Sequence, residues 1–187
     1  MATINFIYDT LGGNKDRKKP INSKVKGSSN EIKACKALTK WAGFNFNRTP
    51  SSGGLQWKHD QRIVGDIVPE YGVFFPFVVE VKAYKSLDID FPEIKRIKLF
   101  KFFRQALRDS LKVEKEPLLM ARQNNMKKNE WYIGFTRLVS DYLEDSFGIK
   151  PVTVGISKDD SLELCIFTSD SIFNIPYNEF VKKWKFD

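Results

Sequence analysis

The order of apolar and polar positions along the chain predicts helices that alternate with groups of strands. The pattern becomes helical from Ser29, and the run from Glu31 to Ala42 contains no glycine or proline and stops at Gly43, which is typical of a helix. Its N-terminal cap would be Ser28, Ser29 or Asn30. Short apolar segments separated by turn residues then predict strands, over 44–48, 63–68 and 74–82.

The second half of the chain repeats this alternation. A long helix is predicted after Pro92, over 93–112. The remaining predicted strands are 117–122, 131–135, 152–156, 162–167 and 172–175, and further helices are predicted over 138–147 and 177–184. This order of elements predicts an α/β (α+β) fold, in which a mixed central sheet is flanked by helices.

The length and composition of the chain fit one domain. The 187 residues are 42% hydrophobic and include 16 Phe and 4 Trp, which suffices for a substantial core. We expect a basic N-terminal arm over 1–27 and a single domain over 28–187. The part of this domain from about 141 is expected to extend beyond a compact core.

Several classes of protein are excluded by the scarcity of particular residues. Cys35 and Cys165 lie far apart in apolar segments, which excludes a disulfide framework and a cysteine-rich zinc site. His59 is the single histidine, which excludes chemistry that needs several imidazoles. No apolar run approaches the roughly 20 residues of a membrane span, and the N-terminus lacks the features of a secretory signal. We therefore expect a cytoplasmic protein without a membrane partner.

Positive charge is in excess and is clustered. The chain has 31 Lys and Arg against 23 Asp and Glu, a net charge of +8, which favours polyanions such as nucleic acid or anionic lipid. Six of the positive charges lie between residues 14 and 26. Lys24 and Lys26 could contact phosphates from such an arm, although a solvated tail has the same composition. The helix predicted over 93–112 is also basic, and a solvated helix face is again the alternative.

Charged residues interrupt the most apolar predicted strands. Glu80 and Lys82 point to the same side of their strand, because side chains alternate along it. A buried carboxylate is costly unless it is paired or bound to a metal, so the alternatives are an ordinary ion pair and a metal site. A turn over 69–72 could bring Asp66 beside Glu80. Two carboxylates repel each other, and a divalent cation would remove that repulsion.

Glu31 and a loop after the strand over 44–48 add further candidates. Glu31 lies at the end of an apolar helical stripe, although the helix dipole alone would favour a glutamate there. Arg48 precedes a loop rich in hydroxyl groups and glycine, in which Ser51 and Ser52 could contact phosphate. A plain linker is the alternative. The loop lacks the Gly-Lys-Ser/Thr ending of a P-loop, which excludes binding of a nucleoside triphosphate by that motif.

In this order the motifs resemble the PD-(D/E)xK nuclease superfamily and, more closely, its archaeal-type and phage Holliday-junction resolvases. The similar stretches are 26–31, 43–44, Arg48, 52–54, 65–67 and 79–82. They lie within residues 26–85, and the segment 55–65 is longer than the pattern. The resemblance implies a restriction-endonuclease-like fold whose mixed central sheet carries the active site.

The resemblance also implies the roles of the candidate residues. The metal ligands would be Asp66, Glu80, the backbone carbonyl of Val81 and Glu31. The cation would be Mg²⁺, with Mn²⁺ as a substitute, because oxygen-only ligands select such cations. Lys82 would position and activate the attacking water.

Contacts with the scissile strand are implied for Arg48 and for Ser52 or its neighbour Ser51. The implied activity is that of a Mg²⁺-dependent endodeoxyribonuclease, a structure-selective resolvase that cuts branched DNA as a homodimer. One alternative is a restriction-like or DNA-end-processing nuclease, and the other is a non-catalytic nucleic-acid-binding module on the same fold. The compact basic pattern is compatible with a phage origin.

Overall fold

The computed structural model describes residues 23–49, 64–87, 89, 97–156 and 162–185, and only the backbone of 23–26, 97 and 98. Strands in these ranges are β1 (Phe46–Arg48), β2 (Ile67–Pro69), β3 (Phe77–Tyr84), β4 (Glu116–Gln123), β5 (Tyr132–Phe135), β6 (Thr153–Ile156) and β7 (Glu163–Thr168). Together they form one sheet, in the order β1-β2-β3-β4-β5-β7-β6.

Helices in the described ranges are α1 (Ser23–Ala42), α2 (Ile97–Leu111), α3 (Arg137–Phe147), α4 (Ser169–Phe173) and α5 (Tyr177–Phe180), followed by a 3₁₀ helix (Lys182–Lys185). None of them combines the length and the apolar character that would carry it across a bilayer.

Strand β3 lies in the interior of the sheet and is paired on both sides. It runs parallel to β4 along its whole length, from Phe77 beside Glu116 to Tyr84 beside Gln123. The other neighbouring strands are antiparallel to each other. A parallel pair needs a long crossover connection, and α2 lies in that connection. A strand covered on both faces is expected to be almost continuously apolar, as β3 is.

Helices cover both faces of the sheet, which gives three layers. One core joins α1, α3, α4 and α5 to one face, and it includes Phe77, Val79 and Val81 of β3. The other core joins α2 to the opposite face. Glu80 and Lys82 point to this α2 face, because side chains alternate along β3.

The predicted fold class is confirmed, since a mixed central sheet is flanked by helices on both faces. Residues after about 141 add β6 and β7 to this same sheet. Residues 1–22 lie outside the described part of the chain. The expected division into an arm and one domain therefore stays a prediction.

The predicted beginning of the first helix is wrong. Helix α1 begins at Ser23, so the expected caps Ser28, Ser29 and Asn30 lie inside it. Gly27 obscured this extension, since glycine costs a helix interior about 1 kcal/mol relative to alanine. Packing compensates for such a cost, because α1 places Leu38 and its apolar neighbours in the core.

The strand predicted over 172–175 is also wrong. Residues up to Phe173 belong to α4, which Thr168 caps by accepting a hydrogen bond from the Ser171 N–H at 3.3 Å. Ile172 and Ile175 are buried in the core, which accounts for the apolar pattern without a strand. A short apolar run does not by itself distinguish a strand from a buried helical turn.

Candidate active site

The backbone of Asp66 is fixed between two strands. Its N–H donates to the Val79 carbonyl at 2.8 Å, and its carbonyl accepts from the Thr49 N–H at 2.9 Å. Gly65 makes this approach possible, because it has φ of +84° and a Cβ there would lie 2.7 Å from the Val79 oxygen. Strand β2 therefore begins at Ile67 rather than at 63 as predicted, since the turn at Gly65 occupies the preceding positions.

The side chain of Asp66 continues the contact with β3. Register pairing between β2 and β3 consists of Ile67 beside Val79. Beyond that pair, Asp66 Oδ2 accepts the Val81 N–H at 2.8 Å, where a backbone carbonyl would otherwise do so. The Asp66 carboxylate is thereby held beside the residue that directly follows Glu80.

Glu80 is buried beneath α2, with its side chain 1% exposed. Its carboxylate forms an ion pair with Lys82 through Oε1 and accepts a hydrogen bond from Gln105 Nε2 through Oε2, at 3.1 Å. Lys82 is about one quarter exposed and lies 5.7 Å from the centre of the Phe102 ring. The structure thus brings together Glu80 and Lys82 of β3 and Asp66, which directly precedes β2.

Burial and neighbouring negative charges raise the pKa values of both carboxyl groups. The pKa of Glu80 rises to about 7, chiefly because burial disfavours the charged form and also because Asp66 is negative. Burial likewise raises the pKa of Asp66, with a further contribution from the negative charge of Glu31. Burial by itself would lower the pKa of Lys82, but its hydrogen bond with Glu80 and the nearby acids raise it overall.

Glu31 and Arg48 form an ion pair next to this group. Arg48 Nε lies 2.6 Å from Glu31 Oε2, and the two side chains are 32% and 22% exposed. Helix α1 carries Glu31 on the stripe that continues into buried Cys35 and Leu38, as predicted. Strand β1 ends at Arg48, which places the guanidinium opposite α1. The pair joins the first helix to the edge of the sheet beside Asp66.

The site offers the oxygen atoms of two carboxylates, the kind of donor that a hard divalent cation prefers, and not a preformed cluster of three or more ligands. In the described part of the chain, no group of three His, Cys, Asp or Glu side chains is arranged to hold a metal. Glu80 Oε1 is buried, and its partner within the same residues is the ammonium group of Lys82. Mg²⁺ commonly uses one or two carboxylates and retains several waters, so the oxygen donors of Asp66 and Glu80 match its preference in kind. Val81, the third predicted ligand, contacts Asp66 through its N–H.

A cleft of about 1510 Å³ opens beside α1 and reaches two acidic residues of the site, Glu31 and Asp66. Glu31, Arg48, Thr49, Gly65 and Asp66 are among the residues that line it. Asp66 therefore lies between the cleft and β3, because it lines the cleft and its carboxylate accepts a hydrogen bond from β3.

The side chains of four predicted site residues are not among those that the structure describes. Ser51 and Ser52 lie outside the described residues. Lys24 and Lys26 belong to the first turns of α1, but their side chains are not among those described. Their expected contacts with phosphate stay predictions.

Gln105 is a site residue that the sequence analysis missed. It lies on α2 next to buried Ala106 and faces the sheet, whereas Arg104 and Arg108 are exposed. The available signal was a polar, uncharged residue on the apolar side of an otherwise basic amphipathic helix. Its carboxylate partner, Glu80, could not be identified without the crossover geometry.

Comparison with known proteins identifies the family. A sequence model of the family described as "phage putative PDDEXK endonuclease" matches residues 22–182. The chain belongs to this family. The match contains Glu31, Asp66, Glu80 and Lys82, and it confirms the resemblance to the PD-(D/E)xK superfamily that the order of motifs indicated. No curated protein and no solved structure gives a significant match. Within the PDDEXK endonucleases, the closeness to Holliday-junction resolvases stays a prediction.

Proposed function

We propose that the chain is a metal-dependent endonuclease that hydrolyses phosphodiester bonds in DNA. One observation carries this proposal: the Asp66 carboxylate accepts the Val81 N–H, one residue after Glu80, on the strand that also carries Lys82. A buried carboxylate beside a half-buried one, both with raised pKa values, is an expensive arrangement for a purely structural role. Membership of the PDDEXK endonuclease family supports the same activity.

Asp66 and Glu80 would hold Mg²⁺ or Mn²⁺, whose charge would offset their mutual repulsion. Such a cation, when bound, lowers the pKa of a water ligand and stabilises negative charge on the scissile phosphate. The raised pKa of Lys82 keeps its ammonium group protonated near neutral pH. Lys82 would position and activate the attacking water, and its positive charge would offset the negative charge of the phosphate. Hydrolysis would leave a 5′-phosphate and a 3′-hydroxyl.

Arg48 and Glu31 would act next to the reacting phosphate. The guanidinium of Arg48 can form two parallel hydrogen bonds with phosphate oxygens, and Glu31 holds it in place at the end of β1. Glu31 would complete the metal site directly or through a bound water. Ser51 or Ser52 would add a contact to the same strand of DNA.

Among DNA substrates, we propose branched DNA cut by a homodimer. The support for this step is the resemblance of the motifs to the junction-resolvase families. A two-fold dimer would place two equivalent sites for symmetric incisions in a four-way junction.

A cleavage assay on three substrates tests these proposals. Four-way junction, linear duplex and single-stranded DNA are incubated separately with Mg²⁺, Mn²⁺ or EDTA. We expect cleavage with either cation and none with EDTA, and paired symmetric nicks in the junction. Cleavage of every substrate would replace the resolvase by a general nuclease, cleavage confined to ends would indicate end processing, and binding without cleavage would indicate a non-catalytic module.

Matched substitutions assign the activity to the site. Asp66→Asn and Glu80→Gln are each expected to lower the cleavage rate at least about 100-fold while DNA binding is retained, since replacing even a residue that supports a metal ligand commonly costs about 10–100-fold. Asp145→Asn makes the same change at an exposed position on α3 and serves as the control. Wild-type cleavage by Asp66→Asn would show that the site has been assigned wrongly.

A further inference from the structure

Three lysines form a row along the side of α1 that borders the cleft. Lys33, Lys36 and Lys40 are three and four residues apart, which places them on one side of a helix, and all three are exposed. In the described ranges of the chain, none of them takes part in an ion pair. The row spans about 10 Å along the helix axis, given the rise of 1.5 Å per residue.

A second basic element reaches the same cleft from the loop between β4 and β5. Lys128 and Asn129 of this loop are among the lining residues. The loop is fixed by buried Arg122, whose guanidinium donates to the carbonyls of Lys128 at 3.0 Å and of Lys127 at 3.2 Å. With Arg48, the cations that line the cleft number five, against three acids. An anionic ligand is therefore favoured.

Apolar side chains line the cleft among these cations. Ile32 is 44% exposed and lies next to Lys33, while Trp41 and Phe173 contribute aromatic rings. The Trp41 ring is held in place because its Nε1 donates to the Ile175 carbonyl at 2.9 Å. Duplex DNA presents mainly phosphate and sugar at its surface, whereas an unpaired strand presents phosphates and base faces together.

We propose that this cleft binds an unpaired DNA strand, with phosphates on Lys33, Lys36, Lys40 and Lys128 and at least one base or sugar against Ile32. The volume of about 1510 Å³ exceeds the roughly 300–1,000 Å³ of a typical small-molecule pocket, as an extended polymer requires. This inference rests on the proposed nuclease function, because the cleft leads the strand to Arg48 and Asp66. It specifies which part of a branched or single-stranded substrate enters the site.

Binding without cleavage tests the charged part of the proposal. Fluorescence anisotropy with labelled single-stranded DNA and with a duplex of the same sequence is measured in EDTA at several salt concentrations. The triple variant Lys33→Gln, Lys36→Gln, Lys40→Gln is expected to reduce the slope of log K against log salt for the single strand by about 2, at about 0.7 per phosphate contact. Its affinity should then fall about 16-fold less than that of the wild type between 50 and 200 mM salt.

The matched control removes three cations with the same spacing from α2. Lys101, Arg104 and Arg108 are exposed on that helix, and their triple replacement by Gln is expected to leave the single-strand slope nearly unchanged. Equal losses in the two triple variants would overturn the proposal, because binding would then depend on overall charge. An equal loss of duplex binding in the α1 variant would overturn the preference for an unpaired strand.

The apolar part of the proposal has its own variant. Ile32→Ser is expected to weaken binding of the single strand several-fold at every salt concentration, with no change in the salt slope and little effect on duplex binding. Unchanged single-strand affinity would contradict the contact with Ile32. Circular dichroism confirms that each variant is folded. Because no metal is present, a negative result here leaves the nuclease proposal standing, and cleavage by Asp66→Asn remains its separate test.

Discussion

Replacing Gly65 by alanine is expected to destabilise the protein and to displace Asp66 from β3. Gly65 has φ of +84°, and an added Cβ would lie 2.7 Å from the Val79 oxygen and 2.9 Å from Val78 Cγ1. Because Val79 belongs to an interior strand paired on both sides, it cannot move aside easily. The turn that carries Asp66 is therefore the part that has to shift.

The magnitude follows from two contributions. The left-handed conformation costs a residue other than glycine about 1–2 kcal/mol. Moving the turn away from β3 also breaks the hydrogen bond from the Asp66 N–H to Val79, which is worth about 0.5–1.5 kcal/mol. We therefore expect Gly65→Ala to lower the free energy of unfolding by about 1.5–3.5 kcal/mol. A displacement of about 1 Å at Asp66 is also expected to lower the cleavage rate about 100-fold.

Gly72→Ala provides the matched control. Gly72 has φ of +83°, but a Cβ there would meet no atom within 4 Å. Gly72→Ala is expected to lower the free energy of unfolding by about 1–2 kcal/mol, from the cost of the left-handed conformation alone, and to retain cleavage. Urea unfolding in EDTA measures the stability of both variants, and the nuclease assay measures their activity. If Gly65→Ala proves no less stable than Gly72→Ala and cleaves at the wild-type rate, the close approach of Gly65 to β3 does not position Asp66.

Three further predictions concern the surroundings of Glu80 and Glu31. Gln105→Ala removes the hydrogen bond to Glu80 Oε2. It is expected to weaken the apparent affinity for Mg²⁺ in the cleavage assay about 10–100-fold, without a comparable change in the KM for DNA. An unchanged dependence on Mg²⁺ would contradict a positioning role for Gln105. The pKa of Glu80 is about 7 in the folded protein against an ordinary value of 4.5, so the folded state binds the proton more tightly and loses stability as the pH rises between these values. Metal-free urea unfolding from pH 4 to 8 should show this decline in the wild type and a weaker one in Glu80→Gln; parallel curves would refute it. A double-mutant cycle of Arg48→Gln and Glu31→Gln measures the coupling between the two side chains in the free energy of unfolding. We expect a coupling of at most about 1 kcal/mol, because the ion pair is partly solvated. A markedly larger value would indicate a buried, structural ion pair.

The core of the site was predictable because its signal is local. Glu80 and Lys82 lie two residues apart on one strand, and strand alternation alone places them on the same side. The apolar run before them marks an interior strand, which the sheet confirms. Asp66 was found because a charged residue interrupts a second apolar segment.

The remainder depended on contacts between residues distant in sequence. Gln105 reaches Glu80 across a crossover connection, and no spacing rule relates the two. The lysine row of α1 became significant only when the loop that carries Lys128 was placed opposite it. The strand predicted over 172–175 failed for the same reason, since burial of Ile172 by tertiary packing produces an apolar run in a helix as readily as in a strand.

Titration of the protein with Mn²⁺, followed by electron paramagnetic resonance in the absence of DNA, tests most directly whether Asp66 and Glu80 share a cation. The account predicts that the wild type binds Mn²⁺ at a site that Mg²⁺ competes for, and that Asp66→Asn and Glu80→Gln each lose it while Asp145→Asn keeps it. Mn²⁺ binding of wild-type strength in both site variants would contradict the account.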